Sequence, residues 1–329
     1  MTAPNVCPTR AALDRLRRRV AALGALPTLP AVAAEALRAA RDPAATVDDM
    51  VALIAKDPPL AARVLKAANS VSFGMAGTVG SLSIACVLLG MKRIARLAAN
   101  ASAFRTPPAG ASPRDALWTH AAACAAVCEF LGRQLNQNLA AEAFVTGLIH
   151  DTGITVLDAV LHQDFESILA LAAEERLPLH EAERRVLGTD HAQIGAWLAG
   201  AWNLPPQIAG ALSAHHGPPC DPAEAPLGAA LQAADAAARA AGFGFPRFAP
   251  PPESEKIPAL PLLAGDARAW GGILALAAAS AAEAGEFLAA VAAMPEASGI
   301  ALGFDRVVML AAGALRVDQV VWTPPAGET

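Results

Sequence analysis

Alanine sets the terms for what this chain can fold into. It dominates stretches such as LWTHAAACAAVCEFLG (117–132). Hydrophobic residues make up 54% of the 329 residues, and most of that excess is alanine, which has the strongest intrinsic preference for helix and adds little volume per residue. No tyrosine occurs, and alternating Val/Ile/Thr-rich runs, the mark of half-buried strands, are scarce. The pattern predicts an all-α protein, long enough to bury a sizeable core or two modest domains.

Charge excludes one class of partner. Lys+Arg 25 against Asp+Glu 30 gives a net charge of −5, with the signs interspersed and no basic stripe of the kind that binds nucleic acid. The densest basic cluster (Arg15, Arg17, Arg18, Arg19) reads as the solvated face of a short amphipathic helix. None of the five cysteines forms a C-x-x-C pair. Cys124 and Cys128 share a helix face, but they would need other ligands to make a zinc site and read as small core residues. The first twenty residues never reach an apolar signal core, and the alanine-rich run 273–294 carries Glu283 and Glu286, which leaves it short of a membrane span. A cytoplasmic, reduced protein off the membrane is expected.

Proline and glycine divide the chain. An N-terminal helix falls within 1–25, and a first helical part runs over 26–105 to the breaker TPPAGASP (106–113). A second helical part covers 114–245, a proline-rich linker 246–262, and a different segment 263–329. Within ATVDDMVALIAKDP, Thr46 is a helix N-cap with Asp48 and Asp49 in the first turn. Asn69 suits a helix end and turn, Gly74 a positive φ, and Gly90 a C-cap.

Three ordered stretches, LPTLPAVAAEAL (26–37), DPPLAARVLKAANSVSFG (57–74) and SLSIACVLLGMKRIARL (81–97), resemble the HDOD family, the HD-related output domains of bacterial signalling proteins. Together with the second part the resemblance covers about 26–240. It implies a compact multi-helix domain with an HD-like half, generally non-enzymatic, that works through contacts with signalling or regulatory proteins.

Five of the seven histidines fall into a pattern: His120, then His150-Asp151, His191, His215-His216, and finally Asp235. This order resembles the ligand order of the HD phosphohydrolase superfamily and of HD-GYP phosphodiesterases. Neutral imidazoles and carboxylates suit divalent Fe, Mn, Ni, Co or Zn, and an adjacent His-Asp pair lets the carboxylate bridge two ions while the imidazole fixes one. The remaining histidines, His162 and His180, have polar neighbours and are expected to be exposed. The phosphodiesterase pattern has a lysine three residues after the HD aspartate, where Ile154 stands; it has an acid one turn before the first histidine, where Ala116 stands. Its Gly-Tyr-Pro loop is replaced by HHGPPCDPAEAPL. Candidate ligands remain while the residues that would handle substrate phosphate and protons are gone, which argues against cyclic-di-GMP hydrolysis.

The stretch 294–324 resembles motif 3 of class II aminoacyl-tRNA synthetases, closest to the ligases that modify elongation factor P. The resemblance implies a short strand and helix, an α+β appendage with Gly299 and Gly303 near a nucleotide and Arg306 on the γ-phosphate. Motifs 1 and 2 are missing, so the segment is read as a remnant packing through Val307, Val308, Leu310 and Ala311, with Arg306 not binding ATP. The expected function is signal transduction through protein contacts, with an optional metal. The alternative is a metal-dependent phosphohydrolase using His120, His150, Asp151 and Asp235 on a nucleotide or phosphoester.

Overall fold

The computed structural model describes residues 10–24, 26, 30–70, 74, 77–102, 113–245 and 267–292. Among these the chain forms helices and no strand, as the alanine content predicts. The N-terminal half comprises α1 (Arg10–Ala21), α2 (Pro30–Ala39), α3 (Val47–Ile54), α4 (Pro58–Ala68), α5 (Leu82–Leu89) and α6 (Met91–Ser102). The second half holds α7 (Pro113–Leu135), a 3-10 turn (Gln137–Leu139), α8 (Ala140–Ile149), α9 (Thr152–Val160), α10 (His162–Glu175) and α11 (Leu179–Leu187). It continues with α12 (His191–Ala201), α13 (Pro206–Ala214), α14 (Pro226–Ala240) and, after the linker, α15 (Ala267–Ala292).

Local chemistry sets the helix ends. Thr46 and Asp49 form a reciprocal capping box at the start of α3, the Asp49 N–H donating to Thr46 Oγ1 at 3.2 Å and the Thr46 N–H to Asp49 Oδ2 at 2.8 Å. Asp57 caps α4, whose first turn is Pro58-Pro59. Gly90 ends α5 at φ 72°, and Gly74 takes φ 65°, both in the left-handed region that favours glycine. Asn69 caps α4 and does more: its Nδ2 donates to Leu65 O (3.0 Å) and Val79 O (2.8 Å), while its Oδ1 accepts from the N–H groups of Thr78 (3.2 Å) and Val79 (3.0 Å). It is fully buried, so it staples the following loop to the helix end.

α7 is the axis of the second half, with α8, α14 and α15 packed along it. α12 lies against α9 and α13, while α4 joins the halves by touching α8 and α9. One hydrophobic core therefore runs from Leu16 in α1 to Ala281 in α15. Small residues let these helices approach closely: a Cβ at Gly147 would lie 2.6 Å from the Cys124 carbonyl oxygen, across the α7–α8 contact.

The alanine-rich run of the third segment is the packed helix α15, with Ile273, Ala277 and Ala281 buried. The arginines at 15, 17, 18 and 19 are exposed, as a solvated helix face requires. The stretch 137–160 is long and apolar enough to cross a membrane by length and composition, but 78% of its most apolar window is buried inside the fold, the behaviour of a core helix. The linker and the motif 3-like stretch with Gly299, Gly303 and Arg306 lie outside the described residues.

Candidate metal centre

The stretch GLIHDTG (147–153) breaks an otherwise continuous helix. α8 ends at Ile149, Asp151 sits at φ −94°, ψ 14°, and α9 restarts at Thr152. Glycines flank the break for a steric reason. Gly147 is pressed against α7, and a Cβ at Gly153 would lie 2.0 Å from the His191 carbonyl oxygen at the start of α12. The broken helix is thereby clamped between the helices that carry His120 and His191.

All seven sequence candidates converge here, in two adjoining groups. One holds His120, His150 and Asp235, together with Cys124; the other holds Asp151, His191, His215 and His216. Within each group the donor atoms lie within 4.8 Å of one another. Asp151 joins the two: its Oδ2 is 3.2 Å from His150 Nε2 and 3.6 Å from His120 Nε2. Its Oδ1 is 3.3 Å from His191 Nε2 and 3.6 Å from His215 Nε2.

The tautomers follow from the outer partners. His120 Nδ1 meets the Phe243 carbonyl at 2.9 Å, His150 Nδ1 the Gly147 carbonyl at 2.8 Å, and His215 Nδ1 the Leu212 carbonyl at 2.6 Å. A carbonyl only accepts, so each Nδ1 carries the proton and each Nε2 presents a lone pair. His191 is fixed likewise by Glu183, whose Oε2 accepts from both Nδ1 (2.6 Å) and the backbone N–H (2.8 Å). The Nε2 atoms face one another: His120 Nε2 and His150 Nε2 are 3.2 Å apart, His191 Nε2 and His216 Nε2 2.9 Å. Asp151 Oδ1 and His215 Nε2 are buried without a hydrogen-bond partner. Inward-facing acceptors of this kind, each held by an outer partner, are what a divalent cation requires, so the residues present fit a metal.

Burial acts to raise the Asp151 carboxyl, yet the imidazoles of His150, His191 and His215 around it hold it well below the usual range. Burial likewise opposes ionisation of Asp235, which the Arg239 guanidinium, bonded at 2.5 Å, and His120 keep low. Against burial, Asp151 raises His150, and Glu183 with Asp151 raises His191 well above its ordinary value. Burial and neighbouring imidazoles push His215 and His216 down. Burial raises the Glu183 carboxyl.

One expectation from sequence needs correction. His162 is exposed, but His180 is half-buried and stacks on His216 with ring centroids 4.2 Å apart. Burial drives its imidazole down to about 4. Polar neighbours in sequence were a poor guide because α11 folds back over the second group. Cys124 is a core residue, as expected, but it also borders His120, with Sγ 3.6 Å from Nε2. Cys128, one turn on, is simply buried. Glu183 and Arg239 escaped sequence reasoning. The spacing of Arg239 four residues after Asp235 was readable on a helix; nothing local marks Glu183, which reaches His191 across the α11–α12 turn. A cleft walled by His120, Asp151, His180, His191, His216, Asp235 and Arg239 opens onto the centre. Ile154 is buried, so no cation occupies that position.

Comparison with known proteins agrees with this architecture. The model of the HDOD domain family matches residues 26–218. An uncharacterised protein of Treponema pallidum (strain Nichols) is 30% identical over 200 residues, 60% of this chain and 39% of that protein; the chain thus spans about two-fifths of that relative's length. The crystal structure of the MmoQ response regulator from Methylococcus capsulatus superposes with a TM-score of 0.55 at 26% identity, covering 68% of this chain and 90% of that one. A Campylobacter jejuni virulence factor gives the same TM-score at 19% identity over 69% and 83% of the two chains, a likeness of fold alone.

Proposed function

The chain belongs to the HDOD family, and from that premise we propose that it is a cytoplasmic signal-transduction domain that acts on signalling or regulatory proteins and holds a divalent metal centre. The observation that carries the metal is the set of Nε2 lone pairs turned toward one another and toward Asp151, each fixed by an Nδ1 partner. The signalling role is supported by the family and by the relative named a response regulator. His120, His150 and Asp235 would hold one cation, His191, His215 and His216 a second, with Asp151 shared. The nitrogen and oxygen donors suit Fe, Mn, Co, Ni or Zn.

One observation favours a second reading, a metal-dependent phosphohydrolase: the centre is open to a cleft whose wall includes the Arg239 guanidinium. A bound divalent pair would supply Lewis acidity toward a phosphoester. The chain's own residues would contribute a cationic wall at Arg239, and Glu183 and the backbone carbonyls would hold the imidazoles in place. With Ile154 buried in the position of the lysine and no Gly-Tyr-Pro loop, cyclic-di-GMP is a poor candidate substrate.

Elemental analysis of protein purified without chelators tests the metal. Less than about a tenth of an equivalent of transition metal would overturn it. Metal-loaded protein screened against phosphomonoesters, nucleotides and cyclic dinucleotides then separates the readings. Turnover that His150→Ala with Asp151→Ala abolishes establishes the hydrolase; bound metal without turnover leaves the signalling domain.

A further inference from the structure

α5 is apolar on both of its faces. Its sequence, LSIACVLL, has one hydroxyl at Ser83 and no charged residue. Leu82, Ala85, Cys86 and Leu89 are buried and form one stripe at helical spacing. Ile84, Val87 and Leu88 form a second stripe on the opposite side, followed in sequence by Met91 at the start of α6. Val87 is 70% and Ile84 52% exposed, the most exposed large apolar side chains among the described residues; Leu88 and Met91 are half-buried. A helix that is apolar all round belongs in an interior, yet this stripe of α5 faces outward.

Cations flank it. α6 begins Met91-Lys92-Arg93 with no acid in its first turn, so positive side chains stand where the helix dipole favours negative ones. Lys92 and, one turn on, Arg96 are exposed and pair with no carboxylate among the described residues. Lys92 follows Val87 closely in the chain, which bounds their separation at about 18 Å.

Resting on the signalling reading above, we infer that the face of Ile84, Val87 and Leu88, flanked by Lys92 and Arg96, docks an acidic amphipathic helix of a partner protein. Apolar anchors at i, i+3 and i+4 on the partner would cover the α5 stripe. Its carboxylates would meet Lys92, Arg96 and the positive end of α6. A second copy of this chain fits worse, since a two-fold pairing of the face brings its cations together. An anionic membrane also fits worse. α5 has no Lys/Arg-rich polar face of the kind that lies in a lipid interface, and the chain carries a net charge of −5.

The test uses the full chain and two fluorescent synthetic helices with leucines at i, i+3, i+4 and i+7, one flanked by glutamates and the other by lysines. The unmodified protein should bind the glutamate peptide about tenfold tighter than the lysine peptide, and more weakly as salt rises. Val87→Glu should abolish binding, and Lys92→Glu with Arg96→Glu should reverse the preference. Phe130→Glu, at an exposed apolar residue on α7, should change nothing. All these side chains are exposed, so the variants should melt with the unmodified protein. No binding, equal binding of both peptides, or glutamate-peptide binding that survives Val87→Glu and the charge reversal overturns the α5 face. Uptake by phosphatidylglycerol vesicles without peptide binding, or a dimer that Val87→Glu dissolves, overturns it too. None of these results touches the signalling reading, which phosphoester turnover in the screen above would overturn by itself.

Discussion

Gly153 and His191 meet backbone to backbone: a Cβ on residue 153 would come within 2.0 Å of the His191 carbonyl oxygen. Neither backbone can yield without moving a candidate ligand, since His191 opens α12 and Asp151 lies two residues before Gly153. Gly153→Ala should therefore destabilise by about 3 kcal/mol or more and lower metal uptake. Gly200→Ala and Gly210→Ala, in helices with open space around the new methyl group, should instead stabilise by about 0.5–1 kcal/mol. Urea denaturation of the three variants checks the contrast.

Asn69→Ala should cost about 2–4 kcal/mol in the same measurement, because it strands the buried Val79 N–H and C=O groups at once. Asn69→Asp should do no better. It keeps an acceptor but turns a second oxygen toward the carbonyls of Leu65 and Val79.

Glu183 holds His191 in the tautomer that turns Nε2 inward. Glu183→Ala should weaken metal binding about 10- to 100-fold, read by competition with a chromophoric chelator. The metal-free Glu183→Gln protein should melt no lower than the unmodified one. Burial already raises this carboxyl, so a neutral amide costs less to bury.

Asp190 caps α12 through the Gln193 N–H at 2.9 Å and pairs with Arg184. Burial opposes its ionisation, but the Gln193 N–H, His191 and Arg184 hold the carboxyl below its ordinary value. A carboxyl depressed in the folded state contributes stability above its unfolded pKa of about 4, and that contribution is lost as pH falls through the folded value. Asp190→Ala should cost about 1 kcal/mol at neutral pH, and the gap between variant and unmodified protein should narrow below about pH 4.

Chelator treatment should lower the melting temperature, and stoichiometric metal should restore it. Free metal at 100 times its dissociation constant corresponds to about 2.7 kcal/mol. A melting temperature indifferent to both treatments would contradict a metal held by buried ligands.

Sequence alone determined the helical class, several helix ends and the roster of seven candidate ligands. Each depends on neighbours within a turn or two: alanine propensity, the Thr46–Asp49 box, Gly90 after an apolar run, histidines and aspartates recurring in order. Tertiary structure decided how those ligands divide. Asp151 became the shared residue because the break between α8 and α9 points its two oxygens at different histidines. The imidazoles acquired defined tautomers from partners on other elements, His120 from Phe243, 123 residues away. His180 and Cys124 joined the site because α11 folds over it and α8 packs against α7. Helical periodicity reports which residues share a face; it carries no information about which faces meet, because that depends on the packing of helices distant in sequence.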